Sequence, residues 1–183
     1  MPILKPEINL FPADLFEEPI EWESDAYMVY TMANREKLMM RQLLAMEVGF
    51  YCPIIENTWR SNAGRLRKSF VPLFKNYLFV FGDNEARVKA LTTNCALKMT
   101  IVPDPLALIH DLRNLEQLIT GGKPVTIEEQ LAPGNPVRVK SGAFVGCEGV
   151  VVERRGSRRL LVAVNFLQQG ASVELDDFTV EPI

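Results

Sequence analysis

The spacing of hydrophobic and polar positions divides the chain into two parts with different expected secondary structure. In residues 26–120, aromatic and β-branched runs alternate with stretches whose apolar positions recur at helical spacing. In residues 134–183, short valine-rich runs follow one another, and the alternation across 160–166 is typical of a half-buried strand. The first pattern predicts an α/β sandwich, in which helices cover one sheet. The second predicts a small SH3-like β-barrel, so the expected fold class is α+β.

Within the first part, the pattern places individual elements. Strands are predicted at 27–31, 50–55, 76–82 and 96–102, and helices at 33–48, 84–91 and 105–120. The stretches 58–60 and 66–72 flank a turn-rich segment at 61–64, which predicts a hairpin. Gly49 follows the first helix where a C-terminal cap is expected, and Asn84 can cap the second helix.

Two further segments complete the expected domain organisation. Residues 1–25 contain one lysine, seven carboxylates and four prolines, which is typical of a flexible acidic extension. Apolar residues in the same segment leave open that it docks onto the body of the protein or onto a partner. Residues 121–133 combine paired glycines, prolines and glutamates and predict a linker. The predicted domains are therefore a 26–120 sandwich and a 134–183 barrel.

Composition limits the classes of protein to consider. No apolar run approaches the length of a membrane span, and the start of the chain does not have the pattern of a secretory signal. Three widely separated cysteines favour reduced thiols, and we expect a cytoplasmic protein without membrane partners. The single histidine, His110, has no cysteine or histidine at metal-ligand spacing. The chain also has no G-x-S-x-G motif in which a histidine would activate a serine. We therefore expect no enzymatic activity, no metal and no cofactor.

Three glycines in a short run could indicate a phosphate-binding loop. However, Gly142, Gly146 and Gly149 match neither nucleotide-binding pattern, and a strand follows them instead of a helix. We interpret them as positive-φ turn positions between two strands of the barrel.

These motifs also carry a family resemblance. The segment "SGAFVGCEGVVVE" at 141–153 resembles the KOW motif, and an α/β domain before a KOW barrel is the arrangement of the NusG family. Residues 27–43 and 50–56 are similar to the opening elements of its N-terminal (NGN) domain, and "FVPLFKNYLFVFG" at 70–82 is similar to its signature segment. The Lys75-Asn76-Tyr77 sequence replaces the usual Pro-Gly-Tyr and is closer to specialised paralogues such as RfaH.

The resemblance implies a transcription elongation and antitermination factor. Family members bind the clamp helices of RNA polymerase through the first domain, and Phe74, Tyr77 and Phe79 match the docking positions. An exposed aromatic patch suits such a helix-in-groove contact, although burial in the core is the alternative for these residues. A monomer is expected.

A second expected surface lies on the predicted hairpin. Between residues 57 and 76 there is no acidic residue, and aromatic residues are interspersed with the basic ones. The basic residues are Arg60, Arg65, Arg67, Lys68 and Lys75. Beside a polymerase they would contact the DNA backbone of the elongation complex, and a solvated basic hairpin is the alternative.

The barrel is expected to recruit a second partner. Phe144, Phe166 and Leu167 lie at or near the positions that the family uses to bind the ribosomal protein NusE or the terminator Rho. A different function stays open, because KOW barrels also occur in ribosomal proteins. Four arginines in the turn at 154–159 would suit RNA, so the alternative is an RNA- or ribosome-binding module without polymerase binding.

Overall fold

In the computed structural model, the chain forms two compact units, Met1–Pro105 and Leu106–Ile183. The residues described are 7–17, 24–62, 64–130, 133–154, 156–175 and 179–183. Mixed helices and strands confirm the α+β class. No helix in these ranges is long and apolar enough to cross a membrane.

A five-stranded antiparallel sheet forms the centre of the first unit. Its elements in chain order, with a separate hairpin of β4 and β5, are β1 (Leu10–Phe11), β2 (Ala26–Thr31), α1 (Glu36–Ala45), β3 (Gly49–Tyr51), β4 (Ile54–Arg60), β5 (Leu66–Pro72), β6 (Tyr77–Phe81), α2 (Asn84–Thr92) and β7 (Ala96–Ile101). The strand order in the sheet is β1-β3-β6-β2-β7. The predicted strand 50–55 is interrupted at Pro53, which separates β3 from β4.

Alternation along the strands builds the core of this unit. On one face, Tyr27 and Val29 of β2 lie beside Leu78 and Val80 of β6, and all are buried. They pack in one cluster with apolar side chains of α1, chiefly Met39, Met40 and Leu43. Because β2 and β6 are central strands, this cluster fixes their register and therefore the positions of their other side chains.

Two predicted helix caps differ from the structure. Helix α1 ends at Ala45, and Glu47 takes the left-handed conformation with φ 54°. Gly49 instead begins β3, where a Cβ atom would lie 2.9 Å from the carbonyl oxygen of Phe81. The cap of α2 is Asp83, whose carboxylate accepts a hydrogen bond from the Ala86 N–H at 3.0 Å.

Residues 7–17 of the acidic extension are docked on the sheet. Strand β1 pairs with β3 and extends the sheet edge. Glu7 accepts two hydrogen bonds from Arg41 at 2.8 and 3.0 Å, and the Phe16 ring contacts Tyr51 edge-on at a centroid distance of 4.9 Å. This arrangement corresponds to the docked alternative for these residues. The rest of the extension up to residue 23 lies outside the described residues.

The second unit is a six-stranded antiparallel sheet with one long helix. Its elements are α3 (Pro105–Thr120), β8 (Thr126–Glu128), β9 (Pro136–Val139), β10 (Glu148–Arg154), β11 (Ser157–Val164), a 3₁₀ turn (Asn165–Leu167), β12 (Gln169–Glu174) and β13 (Val180–Pro182). The strand order is β13-β9-β10-β11-β12-β8. The pattern across 160–166 predicts Phe166 in a strand, but β11 ends at Val164 and Phe166 lies in the turn.

The segment predicted as a linker contains β8, which pairs with β12. Glu128 of β8 accepts a hydrogen bond from the buried Ser172 hydroxyl at 2.7 Å. Arg159 donates to Ser172 Oγ at 2.8 Å and to Thr126 Oγ1 at 2.9 Å. A three-residue segment has little intrinsic preference for the strand conformation. The hydrogen bonds above and the free edge of β12 therefore decide that residues 126–128 form a strand.

Helix α3 has the predicted bounds and is hydrogen-bonded to the 3₁₀ turn and to the start of β10. The Asp111 carboxylate accepts from the Asn165 N–H at 2.9 Å, and Asn114 Oδ1 accepts from the Glu148 N–H at 3.0 Å. Burial raises the pKa of Asp111, while the bonds from Asn165 act in the opposite direction. Along the chain, the division between the two units falls at the start of α3, between Pro105 and Leu106.

Candidate interaction surfaces

The surface of the first unit carries a pair of aromatic rings from neighbouring strands. Tyr77 of β6 lies opposite Tyr30 of β2, and their ring centroids are 5.1 Å apart at an interplanar angle of 52°. The side chain of Tyr30 is 36% exposed and that of Tyr77 is half-buried. On the other side of Tyr30, β7 places the exposed Lys98 directly opposite. We call Tyr30 and Tyr77 the tyrosine pair.

The turn before Tyr77 is held by a buried carboxylate. Asn76 has φ 66°, which asparagine tolerates better than most residues. Its N–H donates to Glu36 Oε1 at 2.8 Å, and its carbonyl accepts from the Thr31 N–H at 2.8 Å. Glu36 lies in the first turn of α1 and is 6% exposed. Helix α1 and strand β2 thus position the start of β6 and the Tyr77 side chain.

The other two predicted docking residues lie inside the molecule. Phe74 and Phe79 are 1% and 0% exposed, respectively, so Tyr77 is the member of the predicted set that reaches the surface. Tyr30 is absent from the predicted docking set. It follows the buried Val29 in β2, and strand alternation would have placed its side chain on the face opposite the core. The burial of Phe74 and Phe79 matches the alternative of core packing that the sequence leaves open.

The β4–β5 hairpin presents two chemically different faces. Its register pairs Trp59 with Arg67 and Asn57 with Ser69, so the odd-numbered side chains share one face. Arg65, whose carbonyl accepts from the Ser61 N–H, continues this face toward the tip. We call it the Trp59 face. The even-numbered face carries Glu56, Thr58, Arg60, Leu66 and Lys68.

One basic residue of the hairpin forms an ion pair, whereas the three arginines form none in the part of the chain that the structure describes. Lys68 Nζ lies 2.7 Å from Glu56 Oε1, and this hydrogen bond lowers the pKa of Glu56. Among the described residues, Arg65 and Arg67 have no carboxylate within ion-pair distance, and neither does Arg60. Lys75 is exposed in the turn between β5 and β6, away from the hairpin strands. The segment 57–76 contains no acidic residue, and Lys68 pairs with Glu56 just outside it.

The apolar residues expected to bind a partner of the barrel differ in exposure. Phe144 is fully buried, and a Cβ atom on Gly121 would overlap its ring. Phe166 and Leu167 are half-buried in the 3₁₀ turn, while Val145 next to Phe144 is 52% exposed. Phe144 thus lies in a loop, as predicted, but its side chain belongs to the core of this unit.

Gly142, Gly146 and Gly149 have two different structural roles. Gly142 and Gly146 adopt φ 91° and 83°, as a turn requires. Gly149 is not in the turn: it lies within β10, where a Cβ atom would approach the carbonyl oxygen of Leu161 to 2.5 Å. Close strand packing, and not a left-handed conformation, explains this third glycine.

Comparison with known proteins adds a family assignment to this geometry. The family model described as transcription termination factor nusG matches residues 24–132, more than half of the chain. The chain belongs to the NusG family. Members of this family are non-enzymatic transcription termination and elongation factors, and membership points to an interaction with RNA polymerase. No curated protein gives a significant match to the chain.

The range that matches the NusG family contains the tyrosine pair, the β4–β5 hairpin, α3 and β8. It includes neither β1, which is formed by the acidic extension, nor the strands β9 to β13. The features of strands β9 to β13 therefore rest on their own geometry.

Side chains that could support chemistry are few in this NusG-family chain. The described residues contain no cluster of histidine, cysteine and carboxylate groups able to hold a metal. His110 is exposed, with Nε2 3.5 Å from Glu148 Oε2. All three cysteines are free and buried, and burial raises the pKa of Cys147 to about 12. Such a thiol is a poor nucleophile at neutral pH.

A cavity of about 390 Å³ lies along β8, β11 and β12. Its charged lining is internally matched, because Arg154 lies 3.6 Å from Glu128 and Arg159 lies 3.8 Å from Glu174. The Glu128 side chain is only 13% exposed, so this cluster mainly attaches β8 to β11 and β12.

Proposed function

We propose that this NusG-family chain is a transcription elongation and antitermination factor of the specialised, RfaH-like type. In this proposal, the first unit is an NGN domain that binds the clamp helices of RNA polymerase and reduces pausing or termination. The second unit is a KOW barrel that recruits a further partner, either NusE or Rho. The proposal is carried by the tyrosine pair, an exposed aromatic surface in the family-matched part of the chain.

The tyrosine pair suits a contact with a helix of a partner protein. Tyrosine combines a large apolar ring with a polar hydroxyl, so it can be partly exposed before binding and desolvated afterwards. Tyr30 and Tyr77 lie on adjacent strands whose register is fixed by the buried core on the opposite face. A rigid aromatic anchor loses little side-chain entropy on binding.

The hairpin and the barrel supply the other two contacts in this proposal. Arg60, Arg65 and Arg67, with Lys68 and Lys75, would lie near the backbone of DNA in the elongation complex. In the barrel, Phe166 and Leu167 are accessible enough to contact a partner directly, whereas Phe144 would support the loop from inside.

Capture of RNA polymerase from the source organism by the immobilised full-length chain tests the proposal. We expect Tyr77→Ala to weaken capture at least tenfold, since loss of an anchor residue costs about 2 kcal/mol or more. Val88→Ala, at a 49% exposed position of α2, is the matched control and should capture polymerase normally. Circular dichroism should show both variants folded.

Equal capture by wild type and Tyr77→Ala would contradict docking through the tyrosine pair. Failure of every variant to capture polymerase, together with retention of RNA or ribosomes, would replace the proposal with the RNA-binding alternative. In the turn at 154–159, Arg154 and Arg159 already lie beside carboxylates of the same unit. Their charges are therefore partly matched, which weakens the argument for RNA binding by this turn.

A further inference from the structure

The docked part of the acidic extension lies in the same sheet as the tyrosine pair and shares a face with it. Leu10 of β1 pairs with Tyr51 of β3, and Tyr51 pairs in turn with Phe79 of β6. Side chains directly opposite one another in an antiparallel sheet point to the same face. Phe79 and Tyr77 are two positions apart on β6, so Leu10 and Tyr77 also share a face. It is the face opposite the core cluster that packs on α1.

One exposed side chain of the extension falls in the row of the tyrosine pair. The Asn9 carbonyl accepts a hydrogen bond from the Cys52 N–H at 2.8 Å, so the pairing with β3 continues one residue beyond β1. Counted one residue further, the row joins Ile8 through Pro53 to Tyr77. Ile8 is 57% exposed. Alternation from β1 places its side chain on the face of the tyrosine pair.

We propose that the docked segment 7–17 forms part of the surface that binds RNA polymerase, so that one helix of the polymerase contacts both the tyrosine pair and Ile8. This inference rests on the proposed function, in which the tyrosine pair binds the clamp helices. It gives a binding role to a segment that lies outside the range matching the NusG family.

The spacing of the strands allows one helix to reach both sites. Neighbouring strands lie about 4.8 Å apart, so two strand spacings, about 10 Å, separate Ile8 from Tyr77. An α-helix with its side chains is about 10–12 Å across. A helix centred between Ile8 and Tyr77 therefore contacts both, and one that crosses the strands contacts Tyr30 as well. The two parts form one continuous surface for one occupant.

The segment is held on both sides of β1, as part of a binding surface should be. Arg41 of α1 donates two hydrogen bonds to Glu7, the residue next to Ile8. After β1, the Phe16 ring contacts Tyr51 edge-on at a centroid distance of 4.9 Å. A segment that is already ordered loses little conformational freedom when a partner binds.

The opposite edge of the sheet offers a matched control. Ile101 of β7 is 56% exposed, almost the same fraction as Ile8. It pairs with Tyr27, a member of the core cluster, so it lies on the α1 side of the sheet and away from the tyrosine pair. The same substitution at the two isoleucines therefore changes the same group, at equal exposure, on opposite faces.

The affinity of the full-length chain for core RNA polymerase of the source organism tests the inference, with the chain immobilised for biolayer interferometry. We expect Ile8→Ala to weaken binding about fivefold, because an apolar contact is lost. Ile8→Lys should weaken it about tenfold or more, because a charge would be desolvated without a partner. Ile101→Ala and Ile101→Lys should bind as the wild type does. Circular dichroism should show each variant folded, since both positions are exposed.

A photocrosslink reports proximity without depending on a change in affinity. Benzoylphenylalanine placed at position 8 should crosslink to the clamp helices of the polymerase, and mass spectrometry after digestion identifies the site. The same group at position 101 should give no crosslink to those helices.

Equal binding by Ile8→Lys and Ile101→Lys, or tighter binding by either Ile8 variant, would overturn the inference. Crosslinks from position 8 that avoid the clamp helices would do the same. Tyr77→Ala separates this inference from the proposed function. If Tyr77→Ala loses binding while the Ile8 variants keep it, only the role of the extension fails. If Tyr77→Ala binds like the wild type, docking through the tyrosine pair fails, and the inference fails with it.

Discussion

Two hairpins of this chain, β4–β5 and β10–β11, are rich in arginine, and their arginines lie in opposite surroundings. On β4–β5, Arg65 and Arg67 have no carboxylate partner among the described residues. On β10–β11, Arg154 and Arg159 lie beside Glu128 and Glu174, two acidic residues from neighbouring strands. Arg65 and Arg67 of the first unit are thus unpaired among the described residues, whereas Arg154 and Arg159 of the second unit lie within ion-pair distance of carboxylates.

The difference comes from what packs beside each hairpin. Strands β10 and β11 belong to a six-stranded sheet, and the added strand β8 carries the carboxylate that reaches Arg154. Strands β4 and β5 form a sheet of their own. An isolated hairpin has no third strand to provide counter-charges, and Arg65 and Arg67 have no carboxylate partner among the described residues. Arginine content therefore becomes informative about binding only when the neighbouring strands are known.

The largest difference in stability should appear when a buried leucine of β10–β11 and an exposed leucine of β4–β5 are each truncated. Leu160 of β11 is fully buried, and Leu160→Ala should lower the free energy of unfolding by about 3 kcal/mol. Leu66 of β5 is 61% exposed, and Leu66→Ala should change it by no more than about 0.5 kcal/mol. Urea denaturation followed by circular dichroism measures both. Similar losses would mean that β4–β5 is packed as firmly as β10–β11.

A smaller effect should follow removal of the counter-charge on β8. Glu128→Ala leaves the buried Ser172 hydroxyl without its acceptor, and we expect a loss of about 1 to 3 kcal/mol in the free energy of unfolding. Amide hydrogen exchange should accelerate at β8 and at the facing residues of β12. Glu56→Ala is the matched change on β4–β5 and should leave the urea midpoint unchanged, because its ion pair is exposed. Unchanged exchange at β8 would show that backbone pairing alone holds this strand.

The smallest effect concerns the ion pair of β4–β5 itself. Because Lys68 lowers the pKa of Glu56 below its ordinary value of 4.5, the stabilising contribution is present above that value. It is lost as the pH falls through the lowered pKa. NMR titration should place the Glu56 carboxyl below 4.5 in the wild type and closer to 4.5 in Lys68→Met. The same pKa in both proteins would mean that the two side chains do not pair in solution.

Much of the fold follows from periodicity. Helix α3 has the predicted bounds, and the central strands β2 and β6 agree with the prediction to within a residue at each end. These elements carry strong local patterns and are buried, so propensity and packing favour the same structure. Strand β8 has no such pattern, because its structure depends on the edge of β12 and on Glu128.

The candidate surfaces were less predictable than the elements that carry them. Sequence similarity selects Phe74, Tyr77 and Phe79 together, but a strand in a covered sheet can bury both of its faces. Exposure is decided at its end, where Tyr77 lies next to Tyr30. Likewise, the basic segment of the hairpin was visible in the sequence, whereas the pairing of Lys68 with Glu56 required the register of β4 and β5.

The sequence by itself determined the α+β class, the main helices and strands, and the resemblance to the NusG family, because each depends on local pattern or on motif order. Only the tertiary structure decided which side chains meet across strands. It buried Phe144 beside Gly121 and aligned Trp59 with Arg67 on one face. It also docked residues 7–17 at the edge of the first sheet. Contacts between residues distant in the chain depend on register and packing, and periodicity along a single strand does not contain that information.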